Sequence, residues 1–316
     1  MIIDAHAHLW WHQDTQVDGQ PIRSLSPNGS RSEFFGQEVQ MLPPFIIDGH
    51  NTAEVFLSNM DYAQVGGAVI VQEIIDGLQN DYLAQVQQRY PNRFFCYGMP
   101  ELRPKVQSRL HLGAPVEQAQ KLLDAGFRGL AFAGHRSFSP SSGLALNGPE
   151  MMAVYKLLEQ RGAFLSMCLY EGDYHVGQMK EVIQECPGLR IVIGHFGMVT
   201  VPGWMEQIKL ALSPNVYVES GGITWLFNSE FYPYPSAVRA IREAADAVGI
   251  DKLMWGSDYP RTITAITYRM SYDFLYRDKS HLFSDADTRA FLGENAARLY
   301  GFSHLPDLPY IKNMSE

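Results

Sequence analysis

Cysteine is scarce: 316 residues contain only Cys96, Cys168 and Cys186. Three cannot all pair and none forms a CxxC, so a disulfide scaffold is excluded and a reducing, cytoplasmic setting is the expectation. Nowhere do 18 apolar residues run together, which leaves no candidate membrane span. The start, Met1-Ile2-Ile3-Asp4-Ala5-His6, has no basic segment ahead of an apolar one and does not read as a secretory signal. Positive charge is also in deficit. With 25 Lys and Arg against 34 Asp and Glu the formal charge is −9. No run of like charge exceeds a few residues, which argues against a nucleic-acid or anionic-membrane partner. There is no short-period repeat and no low-complexity tract.

Hydrophobic material is plentiful instead: 46% of residues are apolar, enough for a sizeable core without staples. Eight short β-rich apolar runs recur with helical patterns between them: 2–8, 67–72, 94–99, 129–133, 163–169, 190–195, 216–220 and 253–258. Strands alternating with helices in this number predict a single-domain α/β fold over 1–316, a (β/α)8 barrel. Thr52 is placed to cap a helix opening at Ala53, and Pro115 and Pro149 each begin a helix that stops just before Gly126 and Gly162. Ser284-Asp-Ala-Asp287 opens the last long helix as an acidic capping box, and Gly301 closes it. One segment breaks the rhythm. Residues 11–50 carry many Gly and Pro and far exceed the usual connection, so they read as a lid or binding loop inserted after the first strand. Trp10, Trp11 and His12, at its start, are candidates for a substrate wall or for lid packing. The proline-rich stretch 228–235 follows the seventh strand, and its aromatics would suit packing on a second copy of the chain, a homo-oligomer.

The chemistry-bearing residues stand at strand ends. His6-Ala7-His8 closes the first strand, and a period of two puts both imidazoles on one side. Such a pair holds a divalent metal or orients a substrate. The sixth strand terminates in Gly194-His195-Phe196-Gly197 and the eighth in Gly256-Ser257-Asp258-Tyr259-Pro260. A lone histidine of this kind is usually a hydrogen-bonded core residue. Three strands delivering ionisable groups at a common end are much harder to explain as packing. Glu219 and Ser220 end the seventh strand, and alternation lets only one of them face inward.

These motifs, with the terminal Glu294-Asn-Ala-Ala-Arg-Leu-Tyr-Gly301, resemble the amidohydrolase superfamily in its amidohydrolase-related branch, over nearly the whole chain. That branch includes lactonases of sugar acids and pyrone dicarboxylates, and metal-dependent non-oxidative decarboxylases. The resemblance implies a distorted barrel with its site at the carboxyl ends of the strands. His6 and His8 match the pair that binds the ion in metal-dependent members, Asp258 the general base or metal ligand, and His195 the histidine set against the reacting carbonyl or water. The fifth strand departs from the pattern. Cys168 stands near the position where metal-dependent members usually carry a histidine, and as a small buried residue it is a poor candidate ligand. The fourth strand also lacks the lysine of binuclear members. One divalent ion, zinc or manganese, or a metal-free mechanism is therefore implied.

The resulting expectation is a hydrolase of a lactone or similar cyclic ester or amide of a small carboxylic or sugar acid. Asp258 would take a proton from water, and His195 would orient the water or polarise the carbonyl. Arg136 and Arg261 are candidate anchors for a substrate carboxylate. Decarboxylation of an aromatic or unsaturated acid is the alternative on the same frame, and a non-catalytic binding barrel is the alternative of another class.

Overall fold

The computed structural model describes residues 1–103, 113–138 and 143–311. Each of the eight apolar runs contains a strand: β1 (Ile3–Ala7), β6 (Gly67–Ile70), β7 (Phe94–Cys96), β8 (Gly129–Phe132), β9 (Phe164–Met167), β10 (Arg190–Ile193), β11 (Val216–Glu219) and β12 (Leu253–Met254). They form two parallel sheets, β1-β6-β7 and β12-β11-β10-β9-β8, the parallel sheets of an α/β fold. Parallel bridges Gly98 to Leu130 and Ala7 to Tyr259 link the two sheets at both edges. Backbone bonds support the second link: Ala5 N donates to Trp255 O at 2.8 Å and His8 N to Tyr259 O at 2.8 Å.

Period-two alternation sorts the side chains. Val69, Phe95, Ala131, Phe164, Val192 and Met254 pack together in one interior cluster. Their neighbours Ala68, Ile70, Leu130, Leu165, Ile191, Ile193 and Val218 pack outward against the helices. The β1 register is irregular between Asp4 and Ala7. Ile3 and Ala5 lie in the interior cluster but Ala7 and Leu9 in the outer one. The irregularity thus switches the inward parity, and His6 and His8 face the cavity described below.

The helix starts follow the sequence signals. Thr52 accepts a hydrogen bond from Val55 N at 3.4 Å ahead of the helix Ala53–Tyr62. Helices begin at Pro115 and Pro149. Ser284 and Asp287 cap each other's backbone N–H, both at 3.1 Å. The last helix is not uniform. A π segment at Ala290–Glu294 separates two α-helical pieces, and there the Phe291 carbonyl accepts from Trp255 N at 2.9 Å.

The segment expected to be a lid loop is instead folded. β2 (Asp14–Val17), β3 (Gln20–Ser24), β4 (Arg31–Phe34) and β5 (Gln37–Gln40) make a four-stranded antiparallel sheet. Its outer hairpins turn at Asp18-Gly19 and Phe35-Gly36, where both residues of each pair have positive φ, the geometry of a tight two-residue turn. Val17 and Ile22 pack with Ile74, Ile75, Met99 and Ala133, which docks the sheet on the loops after β6, β7 and β8. Among the described residues no helix is long and apolar enough to cross a membrane, and all three cysteines are free.

Candidate active site

A cavity of about 360 Å³ opens at the carboxyl ends of the parallel strands, and His6, His8, His195 and Asp258 all line it. His6 Nε2 lies 3.1 Å from His8 Nε2, which lies 2.9 Å from Asp258 Oδ1. The third edge of this triangle, His6 Nε2 to Asp258 Oδ1, is 3.7 Å. His6, His195 and Asp258 likewise each offer a ligand atom within 4.8 Å of the others.

The outer nitrogens are held from behind. His6 Nδ1 meets Glu219 Oε1 at 2.7 Å. The same oxygen accepts the backbone N–H of His195 at 3.1 Å, and the other accepts from Gly221 N. Burial alone would raise the Glu219 carboxyl, but the charge and hydrogen bond of His6, the charge of His195 and the Gly221 N–H bring it below the usual range. Close packing makes this geometry: a Cβ on Gly194 would stand 2.8 Å from Glu219 Oε1, and one on Gly256 2.7 Å from His6 Cβ. His195 Nδ1 donates to the Gly221 carbonyl at 2.9 Å, which leaves Nε2 as the free nitrogen. His8 Nδ1 lies 3.4 Å from Asp76 Oδ2 without hydrogen-bond alignment, and both atoms are buried without a partner.

Asp258 is held by both oxygens, since Trp225 Nε1 donates to Oδ2 at 2.9 Å. Burial opposes its ionised form, yet the hydrogen bond and charge of His8 and the charges of His195 and His6 outweigh that and hold it far below the usual carboxylate range. Asp258 and His195 have φ of +61° and +54°. Both are strained for residues with a Cβ, as at sites where function sets the backbone.

The donor set fits a divalent metal. With Nε2 deprotonated, His6 and His8 would offer two imidazole lone pairs beside the Asp258 carboxylate oxygen, and a divalent cation would replace the protons that otherwise join these atoms. A tetrahedral ion with bonds of about 2.05 Å places its ligand atoms roughly 3.3 Å apart, close to the three edges of the triangle. Glu219 behind His6 is the carboxylate–histidine support that orients such a ligand. Cys168 lines the cavity, and burial, followed by the charges of Glu219, Glu73 and Asp258, pushes its thiol well up.

Arg136 and Arg261 also line the cavity, each already facing a carboxylate. Arg261 Nη2 donates to Asp76 Oδ1, and Arg136 Nε lies 3.3 Å from Glu73 Oε1. Glu73 and Asp76 flank a short turn after β6, and sequence reasoning missed both, because their partners lie far along the chain. Trp225 was missed for the same reason. Of the pair ending the seventh strand, Glu219 is the one that reaches the site.

Trp10, Trp11 and His12 do not line the cavity, which corrects the substrate-wall expectation. Trp10 is fully buried with Leu42 and Ile46 and donates to Gly49 O at 3.0 Å. Trp11 stacks on His50 at 4.5 Å between centroids.

The chain belongs to the amidohydrolase family, whose model matches residues 3–302. Solved structures share its fold at low identity. A probable 2-pyrone-4,6-dicarboxylic acid hydrolase from Acinetobacter baumannii, with citric acid bound, is 19% identical with a TM-score of 0.67, over 95% of this chain and 99% of that one. An amidohydrolase from Burkholderia multivorans with bound zinc is 17% identical with a TM-score of 0.63, over 97% and 100%. The 5-carboxyvanillate decarboxylase of Sphingomonas paucimobilis is 16% identical with a TM-score of 0.56, over 82% and 86%. No curated protein matches the chain.

Proposed function

We propose that this chain is a hydrolase that opens a small carboxylated lactone, or a similar cyclic ester or amide, with one divalent ion, zinc or manganese, held by His6, His8 and Asp258. The observation that carries the reading is the convergence of His6, His8, His195 and Asp258 on one cavity that also holds two arginines. The bridges joining both sheet edges support a closed (β/α)8 barrel, in which these residues share the catalytic rim. The likeness to a probable pyrone dicarboxylic acid hydrolase and to a zinc-bound amidohydrolase supports the substrate class and the metal.

When bound, the ion supplies a Lewis acid that acidifies water and polarises a carbonyl. His195 Nε2 accepts a hydrogen bond from the attacking water and orients it. Asp258 takes the water's proton and returns it to the ring oxygen as the ester bond breaks, while Trp225 keeps the carboxylate in place. Arg136 and Arg261 bind the substrate's carboxylate. Their own carboxylate partners orient them, and Arg261, which meets Asp76 through Nη2, retains a buried Nε–H without a hydrogen-bond partner.

Decarboxylation on the same frame is the second reading, supported by the likeness to 5-carboxyvanillate decarboxylase. It needs a proton donor to the ring carbon. Asp258 instead faces an imidazole with one oxygen and an indole N–H with the other, which favours the ionised carboxylate and leaves it without a proton to donate. The test offers zinc- or manganese-loaded protein a panel of carboxylated lactones, followed by proton release, and a panel of aromatic and unsaturated acids, followed by carbon dioxide release. Ring opening supports the hydrolase. Carbon dioxide without ring opening assigns a carboxy-lyase, and turnover in neither panel overturns the substrate class.

A further inference from the structure

The opposite face of the strands carries a second polar cavity, of about 460 Å³, lined by Arg128, Arg161, Arg190 and Arg298 around Phe164 and Tyr300. Phe164 and Arg190 are the first residues of β9 and β10, and Arg128 immediately precedes β8, so this is the amino-terminal face. Four guanidiniums gather here in a chain of net charge −9. Among the described residues only Arg161 has a carboxylate partner, Asp124 at 2.9 Å. Arg128 and Arg190 have none. Arg128 lies over the Phe95 ring at 4.4 Å and gives one N–H to Tyr300 O at 2.8 Å. Arg190 lies over Phe164 at 3.8 Å and gives one N–H to Gly162 O.

The aromatic floor is a set of mutually packed rings. Phe95 meets Phe164 edge-on at 5.3 Å, and Tyr300 stacks on Phe164 at 5.2 Å. Two planar cations are thus laid on packed rings, each with most of its five N–H groups unspent. They also oppose each other: after burial, the charge of Arg190 is the main cause that lowers the Arg128 guanidinium. A structural ion pair would bring a carboxylate to Arg128 or Arg190, and among the described residues neither has one; the Asp124 carboxylate is taken by Arg161.

We infer that this face binds a small molecule carrying two or more negative charges on oxygen, a phosphate ester or a polycarboxylate, clamped by Arg128 and Arg190 with Arg161 and Arg298 at its edge. Bidentate guanidinium–oxyanion bonds match the geometry, and binding relieves the repulsion between the two cations. An adjoining cavity that shares Arg128, Tyr300 and Gly301 gives room for an uncharged part of the ligand beside Asn92 and Ser303.

The probes are inorganic pyrophosphate and citrate, titrated calorimetrically into the full-length protein at low and at physiological salt. Saturable binding of either is expected, weakened by salt. The Arg128→Gln/Arg190→Gln variant should lose about tenfold or more in affinity, whereas binding that only Arg136→Gln/Arg261→Gln removes belongs to the cavity at the other end of the strands. Should the first variant fail to fold, Arg161→Gln/Arg298→Gln, which leaves both stacked cations in place, should still weaken binding severalfold. Preference between the probes distinguishes a phosphate ligand from a carboxylate one. Absence of saturable binding, or binding lost only in the Arg136/Arg261 variant, overturns the inference.

Discussion

Glu219 Oε1 receives both the imidazole of His6, at 2.7 Å, and the backbone N–H of His195, at 3.1 Å, so one carboxylate oxygen sets two of the site's histidines. Glu219→Gln offers one oxygen where two were used. We expect metal affinity to fall by about 10- to 100-fold, measured by competition with a chelator. Gly194→Ala should act in the same direction by pressing on that oxygen, and overpacking should destabilise the fold by about 1–3 kcal/mol, read in thermal unfolding.

Asp258→Asn should lower turnover by about 10²- to 10⁴-fold while the fold survives. Turnover and thermal midpoint measured together check this. A large fall in midpoint with turnover retained would mark Asp258 as structural and overturn its role as the base.

Trp225→Phe keeps an aromatic ring but removes the donor to Asp258 Oδ2. Loss of one hydrogen bond to a charged group costs about 1.5–3 kcal/mol, so kcat should fall about tenfold or more with little change in KM.

Removing metal with a chelator should abolish turnover and lower the thermal midpoint, because an ion that binds only the folded state adds its binding free energy to stability. Zinc or manganese should restore both. Full activity in verified metal-free protein would sink the metal-assisted reading.

Glu73 offers a pH signature. Burial opposes its charge, but His135, Arg136, Arg261 and His8 together hold it below its ordinary value of 4.5. A carboxyl lowered in the folded state contributes stability that is complete above its unfolded pKa and is lost as pH falls through the folded one. Glu73→Gln should therefore flatten the acid limb of stability below about pH 4.5, followed by urea unfolding at several pH values.

The parallel strands and the ends that bear His6, His8, His195 and Asp258 were legible because both signals are local: short apolar runs, each stopping at an ionisable residue. What escaped depended on distant partners. Glu73 and Asp76 look like ordinary turn acids until Arg136 and Arg261 arrive from other loops. Residues 14–40 were harder still. Asp14-Thr-Gln-Val17 and Gln37-Glu-Val-Gln40 are mostly exposed polar strands without the alternation that marks a buried face. The Asp18-Gly19 turn was the available cue, because Asp-Gly is a strong hairpin former.

That small sheet reaches the cavity. Ile75 touches two worlds: it packs with Val17 and Ile22 beneath the sheet and also forms part of the cavity wall. Changes in the hairpins can thus reshape what the pocket admits while His6, His195 and Asp258 stay where the parallel strands put them. On the proposed function, selectivity and reactivity would sit on separate structural dials, so that the first could be turned from the hairpins without touching the second.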